Sequence, residues 1–217
     1  FLSIGGVDVI TNNGTINGAI VTDTFNDILT NTDTIFGDVY MGDGDDQLFN
    51  NTGATLTALI VEMEEGNNSV NNAGTFESDI RFGTGNDNII NSGVLGVDGG
   101  EGFAFILNID FSDGNNSLTN TGLIGADMIF GDGDDSIVNN ANSFIQGQIE
   151  MGNGDNTFTN NGSFSGTLRM GDSANGAGTA QLINNNGFMG GIDFTGGDAA
   201  LINNGFTGSV IYGVTVN

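Results

Sequence analysis

The chain has 217 residues, of which 27 are acidic and 2 are basic, so its formal net charge is -25. It contains no cysteine and no histidine, which excludes Ser-His-Asp and Cys-His catalytic arrangements and zinc sites built from these residues. The shortage of basic groups makes nucleic acid and anionic membrane surfaces poor partners, and the apolar runs are too short to span a bilayer.

A unit of about 19 to 20 residues recurs along the whole chain, which is the pattern of a solenoid. The units align on the second glycine of a turn that is rich in aspartate. The anchors are Gly5, Thr24, Gly44, Gly66, Gly85, Gly114, Gly133, Gly154, Gly178 and Gly197. The longer steps between anchors predict loop insertions near residues 96–104 and 171–180.

Each unit begins with alternating apolar residues that end three positions before the anchor, as in Val39 and Met41. After the turn, an apolar residue stands four positions beyond the anchor and an asparagine two further on, as in Leu48 and Asn50. Such alternation is typical of strands with one buried face. The same alignment places Val21 three positions before its anchor. It places Val9, Ile28 and Leu182 four positions after their anchors, and Thr11, Thr30 and Asn184 six positions after them.

A glycine and a third short apolar stretch complete the unit, as in "GTINGAI". One unit cannot bury its apolar face alone, but stacked units can. The sequence therefore predicts an all-β fold, a parallel β-solenoid that forms one domain over residues 1–217. We expect a right-handed β-helix of about ten coils with three short strands per coil. Equivalent residues then stack into ladders of Phe/Met, of Ile/Leu/Val and of Asn.

The segment "FGDGDDSIVNNANSFIQGQIEMGNGDNTFTNNGSFSGTL", residues 130–168, resembles the passenger repeats of bacterial autotransporters and related surface adhesins. The resemblance covers nearly the whole chain and implies a β-helix at a cell surface. The stretches "MGDGDDQLF" and "FGDGDDSIV" are also similar to the calcium-binding RTX nonapeptide. RTX repeats recur every nine residues, however, whereas this chain has one acidic turn per longer unit.

The acidic turns are candidate Ca²⁺ sites, because Ca²⁺ is bound by carboxylate and carbonyl oxygens and stacking brings carboxylates of successive coils together. The candidate metal-binding aspartates form two clusters. The first consists of Asp43, Asp45 and Asp46, with Glu64 and Glu65 on the next coil, and the second consists of Asp113, Asp132, Asp134, Asp135 and Asp155. The alternative is that glycine and aspartate serve only as turn formers, with interleaved asparagines diluting the repulsion.

Two classes of function remain open at this point. The acids recur with the turns, which favours a structural or adhesive extracellular protein that self-associates end to end or laterally, or that binds a glycan or a cell-surface receptor. The alternative is a β-helix enzyme that degrades polysaccharides with paired carboxylates. Against it, Arg81 and Arg169 lie several coils apart and point outward, so they cannot form one cationic cluster.

Overall fold

The computed structural model describes residues 5–96, 107–171, 181–193 and 199–208. Within these ranges the regular structure consists of β-strands, and no helix is long and apolar enough to cross a membrane. The strands are β1 (Val9–Asn12), β2 (Thr15–Asn17), β3 (Ile20–Val21), β4 (Ile28–Asn31), β5 (Thr34–Phe36), β6 (Val39–Tyr40), β7 (Gln47–Asn50), β8 (Thr55–Glu64), β9 (Ser69–Asn72), β10 (Thr75–Phe82), β11 (Asn88–Asn91), β12 (Val94–Leu95), β13 (Asn108–Asp110), β14 (Ser117–Asn120), β15 (Leu123–Ile124), β16 (Asp127–Ile129), β17 (Ser136–Asn139), β18 (Phe144–Ile145), β19 (Ile149–Glu150), β20 (Thr157–Asn160), β21 (Ser163–Arg169), β22 (Gln181–Asn185), β23 (Phe188–Asp193), β24 (Ala199–Asn203) and β25 (Phe206–Thr207).

The strands pair in parallel as a β-solenoid, which confirms the predicted fold class. One sheet has ten strands, one from each coil, in the order β1-β4-β7-β9-β11-β14-β17-β20-β22-β24. The remaining strands form a second sheet of 15 strands. In several coils the second and third predicted strands are a single longer one, as in β8, which pairs with both β5 and β6.

The core lies between the two sheets and is filled by the alternating apolar residues. Leu48, Val70 and Ile89 follow one another in the ten-stranded sheet and are fully buried. On the facing sheet the predicted Phe ladder is also buried, with ring centroids 4.3 Å apart between Phe111 and Phe130. Burying an aliphatic or aromatic side chain of this size contributes about 1.5 to 3 kcal/mol, so the ladders are the main source of stability.

The predicted alignment is wrong by one residue in the first two units and in the ninth. Val9 pairs with Ile28, and Ile28 with Gln47, so Ile10 and Leu29 are the equivalents of Leu48. Ile183 takes the corresponding place in the ninth unit, opposite Phe158. Likewise Thr22, which is buried, stands in the Phe/Met ladder in place of Val21.

The corrected alignment makes the asparagine ladder continuous through all ten coils. Each Nδ2 donates to Oδ1 of the equivalent asparagine in the next coil, for example from Asn50 to Asn72 at 2.9 Å. The same Nδ2 donates to a backbone carbonyl of the following turn, as from Asn50 to Thr75 at 2.9 Å. The members of the core asparagine ladder are Asn12, Asn31, Asn50, Asn72, Asn91, Asn120, Asn139, Asn160, Asn185 and Asn203.

The predicted insertions fall almost wholly outside the described residues. Their positions agree with the ladder spacing, which is 29 residues between Asn91 and Asn120 and 25 residues between Asn160 and Asn185. Elsewhere consecutive ladder asparagines are separated by 18 to 22 residues.

Candidate functional site in the acidic turns

The acidic turn joins the 15-stranded sheet to the next strand of the ten-stranded sheet, and in the third coil it comprises residues 42–46. From the third to the eighth coil the anchor is glycine, because successive turns stack too closely there to admit a side chain. At Gly66, where φ is 132°, an added Cβ would lie 1.9 Å from the carbonyl oxygen of Gly44. The side chains of the two residues that follow the anchor therefore stack in two separate ladders, one for each position.

The first of these, which we name the outer ladder, lies one residue after the anchor and is exposed to solvent. In each coil its side-chain oxygen accepts the backbone N–H of the equivalent residue in the following coil. Asn67 N–H, for example, donates to Oδ1 of Asp45 at 2.8 Å. The members are Asn26, Asp45, Asn67, Asn86, Asn115, Asp134 and Asp155.

The second, which we name the inner ladder, lies two residues after the anchor, and its members from Asp27 onward are buried. Its bonds run in the opposite direction, because each side-chain oxygen accepts the N–H of the preceding coil. Asp27 N–H donates to Oδ1 of Asp46 at 2.7 Å. The members are Asp8, Asp27, Asp46, Asn68, Asp87, Asn116, Asp135 and Asn156.

The asparagines of the inner ladder use both of their polar atoms. While Oδ1 bonds the preceding coil, Nδ2 donates to carbonyl oxygens of its own turn. Asn156 Nδ2 donates to Met151 at 2.8 Å and to Gly152 at 3.3 Å, and Asn68 Nδ2 donates to Glu64 at 3.1 Å. The pocket around the second polar atom is therefore built from hydrogen-bond acceptors.

The aspartates of the inner ladder have a carboxyl oxygen, Oδ2, at the place where the asparagines have the amide nitrogen Nδ2. That oxygen cannot donate to a carbonyl unless it carries a proton. In all five aspartates Oδ2 is buried and has no hydrogen-bond partner. The five are Asp8, Asp27, Asp46, Asp87 and Asp135.

The pKa of Asp46 is raised to about 7, chiefly by burial. The N–H bond from Asp27 opposes this rise, and the charges of Asp27, Asp45 and Asp43 add to it. Burial likewise raises the pKa of Asp87 and that of Asp135 to about 7. In the protonated form the second oxygen becomes an O–H donor to the turn, which reproduces the bonding of asparagine.

The aspartates of the two predicted metal-binding clusters are distributed over the inner ladder, the outer ladder and the position before the anchor. Asp46 and Asp135 belong to the inner ladder, and Asp45, Asp134 and Asp155 to the outer. Asp43 is exposed. Asp113 accepts the Asp132 N–H at 2.8 Å, and Asp132 accepts Nδ2 of Asn153 at 2.7 Å. Ca²⁺ binding at these residues stays a prediction.

In the described ranges, one group of three acids lies close enough together to share a metal ion, and the sequence reasoning missed it. One carboxylate oxygen each from Asp8, Asp23 and Asp27 lies within 4.8 Å of the other two. The one-residue misalignment concealed them, because Asp8 and Asp27 then stood three residues after their anchors, whereas Asp46 stood two after Gly44. In the corrected alignment Asp8, Asp27 and Asp46 occupy one column, the inner ladder, and Asp23 lies beside it.

Arg81 is exposed and Arg169 partly exposed, and both face acids, as expected for outward-pointing side chains. Arg81 Nη1 lies 3.6 Å from Glu62 Oε1. Arg169 pairs with Glu150, and its Nε lies 3.7 Å from Asp193 Oδ2. An open groove runs beside Arg169 and is lined by Phe130, Gly131, Asp132, Glu150, Gly152, Asn153, Arg169 and Gly171.

Comparison with known proteins identifies no relative of this chain. No family model, no curated protein and no solved structure matches it.

Proposed function

We propose that this chain is the rod of a structural or adhesive protein at a bacterial cell surface or in the extracellular space. The observation that carries the proposal is the use of the polar turn residues. In both turn ladders their side chains bond coil to coil, so they serve the stacking of the rod rather than forming an isolated reactive group. A repeated surface of this kind suits adhesion and self-association.

The geometry also supports a rod with a strongly acidic surface. Ten stacked strands span nine steps of about 4.8 Å, which gives a length of roughly 43 Å. Strands β1 and β24 are the two edges of the ten-stranded sheet within the described residues. We propose that these strands pair end to end with another chain or that rods associate laterally, and Ca²⁺ could reduce the repulsion between two acidic rods. The resemblance to autotransporter passengers and adhesins supports the same localisation, with a glycan or a receptor as a further partner.

Electron microscopy and sedimentation of the purified protein, in Ca²⁺ and in chelator, test this proposal. We expect rods that associate into filaments or lateral bundles as concentration rises, and more strongly in Ca²⁺. Monomeric rods at every concentration in both buffers would contradict self-association.

The alternative is a polysaccharide-degrading enzyme, and the groove beside Arg169 is the feature that favours it. Asp132 and Glu150 line this groove together with the guanidinium, and paired carboxylates can cleave glycosidic bonds. However, Arg169 already pairs with Glu150 and Asp193. Release of oligosaccharides from acidic or neutral polysaccharides, lost in Glu150→Gln but not in Glu77→Gln, would favour the enzyme over the structural rod.

A further inference from the structure

Asp8, Asp23 and Asp27 lie together in the first two coils, and one of them breaks the repeat. Asp8 and Asp27 are consecutive members of the inner ladder. Asp23 stands where later coils mostly have glycine, since the turn at Gly42 stacks directly on the Asp23 backbone. Asp23 therefore adds a third carboxylate beside two members of the inner ladder, at a position where later coils have glycine, Glu64 or Ser112.

The bonding of these carboxylates is incomplete. Oδ1 of Asp27 accepts the Asp8 N–H at 2.7 Å, which fixes the side chain between the two coils. Three of the other five oxygens, Oδ2 of Asp8, Oδ1 of Asp23 and Oδ2 of Asp27, are buried without a hydrogen-bond partner. Asp27 as a whole is 0% exposed. A buried carboxylate oxygen without a partner is costly, so the site requires a positively charged or donating ligand.

The protein itself has little to offer in that role. The chain contains two basic side chains, and Arg81 and Arg169 face Glu62 and Glu150 in later coils. Protonation can satisfy a single carboxyl that faces carbonyl oxygens, as in the later inner-ladder aspartates. Three carboxyls that face one another repel strongly at short range, and one ion would neutralise all of them at once.

We propose that Asp8, Asp23 and Asp27 bind one divalent cation of the oxygen-preferring class, and that this cation is Ca²⁺. Two oxygens bound to the same calcium at about 2.4 Å can be at most about 4.8 Å apart, and the three carboxylates meet this limit, since their oxygens lie within 4.8 Å of one another. Carboxylate oxygens suit Ca²⁺ rather than softer metals. Further oxygens from backbone carbonyls or water complete its usual six to eight ligands.

The bound ion acts as a clamp between coils. Asp8 and Asp27 belong to adjacent coils and are already joined by one hydrogen bond. An ion shared by both, and by Asp23 at the start of the second turn, fixes the stacking of the first coil on the second. Ca²⁺ thereby stabilises the stacking of these two coils specifically, beyond the general screening of the acidic surface.

The test is direct Ca²⁺ binding by equilibrium dialysis and calorimetry at about 0.15 M KCl, where diffuse binding to surface charge is weakened. We expect one equivalent of tightly bound Ca²⁺ in the wild type. Asp23→Gly gives this coil the residue found at Gly42, and Asp27→Asn gives the ladder the residue found at Asn68, so both variants should fold. Each should weaken the stoichiometric site at least tenfold.

Asp33→Asn is the matched control, because it removes the same charge from an exposed position of the second coil. It should bind Ca²⁺ as the wild type does. The proposal is overturned if the wild type shows no stoichiometric site, or if Asp23→Gly and Asp27→Asn both bind as tightly as Asp33→Asn. Circular dichroism of each variant verifies that a loss of binding is not a loss of fold.

Discussion

Asp45 and Asp46 are neighbours in the sequence, but the structure shifts the pKa of their carboxyl groups in opposite directions. Asp45, on the outer ladder, accepts bonds from the backbone N–H and from Nδ2 of Asn67, which lower its pKa. Asp46, on the inner ladder, is buried, which raises its pKa to about 7. The exposed position therefore favours the charged carboxylate of Asp45, whereas burial favours the protonated form of Asp46.

This difference shows what each ladder requires of its members. The outer position needs one acceptor, and water can satisfy the rest of the side chain. The inner position needs an acceptor toward the preceding coil and a donor toward its own turn, as Asn156 provides. Asparagine meets both requirements at any pH, while aspartate meets them only when protonated.

The largest expected effect comes from removing a complete inner-ladder side chain. Asn116→Ala leaves the Asp87 N–H without its acceptor, which lies at 2.8 Å, and leaves the carbonyl of Gly114 without its donor. We expect a loss of roughly 2 to 4 kcal/mol in the free energy of unfolding, since buried polar groups would be unpaired. Chemical denaturation measures it.

Asn115→Ala, one residue away on the outer ladder, is the control for that experiment. Its oxygen accepts the Asp134 N–H at 2.7 Å in an exposed setting, where water can replace the lost bond. Its effect should stay within about 0.5 kcal/mol. Equal losses in the two variants would contradict the distinction between the ladders.

The second prediction concerns pH and the variant Asp135→Asn. Because the pKa of Asp135 is raised from 3.8 to about 7 in the folded protein, the folded state holds a proton that the unfolded state releases between these values. The stability from this group is complete below pH 3.8 and is lost as pH rises through about 7. Asp135→Asn should therefore stabilise the protein at pH 8 by roughly 1 to 3 kcal/mol and have little effect near pH 4.

Asp134→Asn removes the same formal charge from the adjacent residue and so controls for the reduction in overall repulsion. Denaturation midpoints of both variants across pH 4 to 8 separate the two causes. A stabilisation that is equal in Asp134→Asn and Asp135→Asn would show that net charge, rather than the unpaired oxygen, is responsible.

The sequence predicted the solenoid and its buried ladders because apolar alternation and the Asn spacing depend on stacking alone, as at Leu48 and Asn50. It did not predict the division between the ladders, because Asp45 and Asp46 look alike in a turn that glycine makes compact. It missed the cluster at Asp23 because the one-residue slip there moved Asp8 and Asp27 out of their column. A consistent Asn ladder, with Asn12 and Asn31 in place of Thr11 and Thr30, was the signal that could have corrected it.

The last prediction involves the smallest change in stability but compares the two ladders most directly. It concerns the pH titration of the carboxyl groups of Asp45 and Asp46. Carbon-detected NMR across pH 2 to 9 should show Asp45 titrating below its ordinary value of 3.8 and Asp46 titrating near 7. In Asn67→Ala the lost side-chain donor should move the Asp45 midpoint upward, because the bond from Nδ2 at 3.0 Å favours the charged carboxylate. The same variant should leave Asp46 unchanged, since its partner is Asp27. If both residues titrate together in the wild type, burial does not separate the charge states of Asp45 and Asp46, and the distinction drawn between the two ladders is wrong.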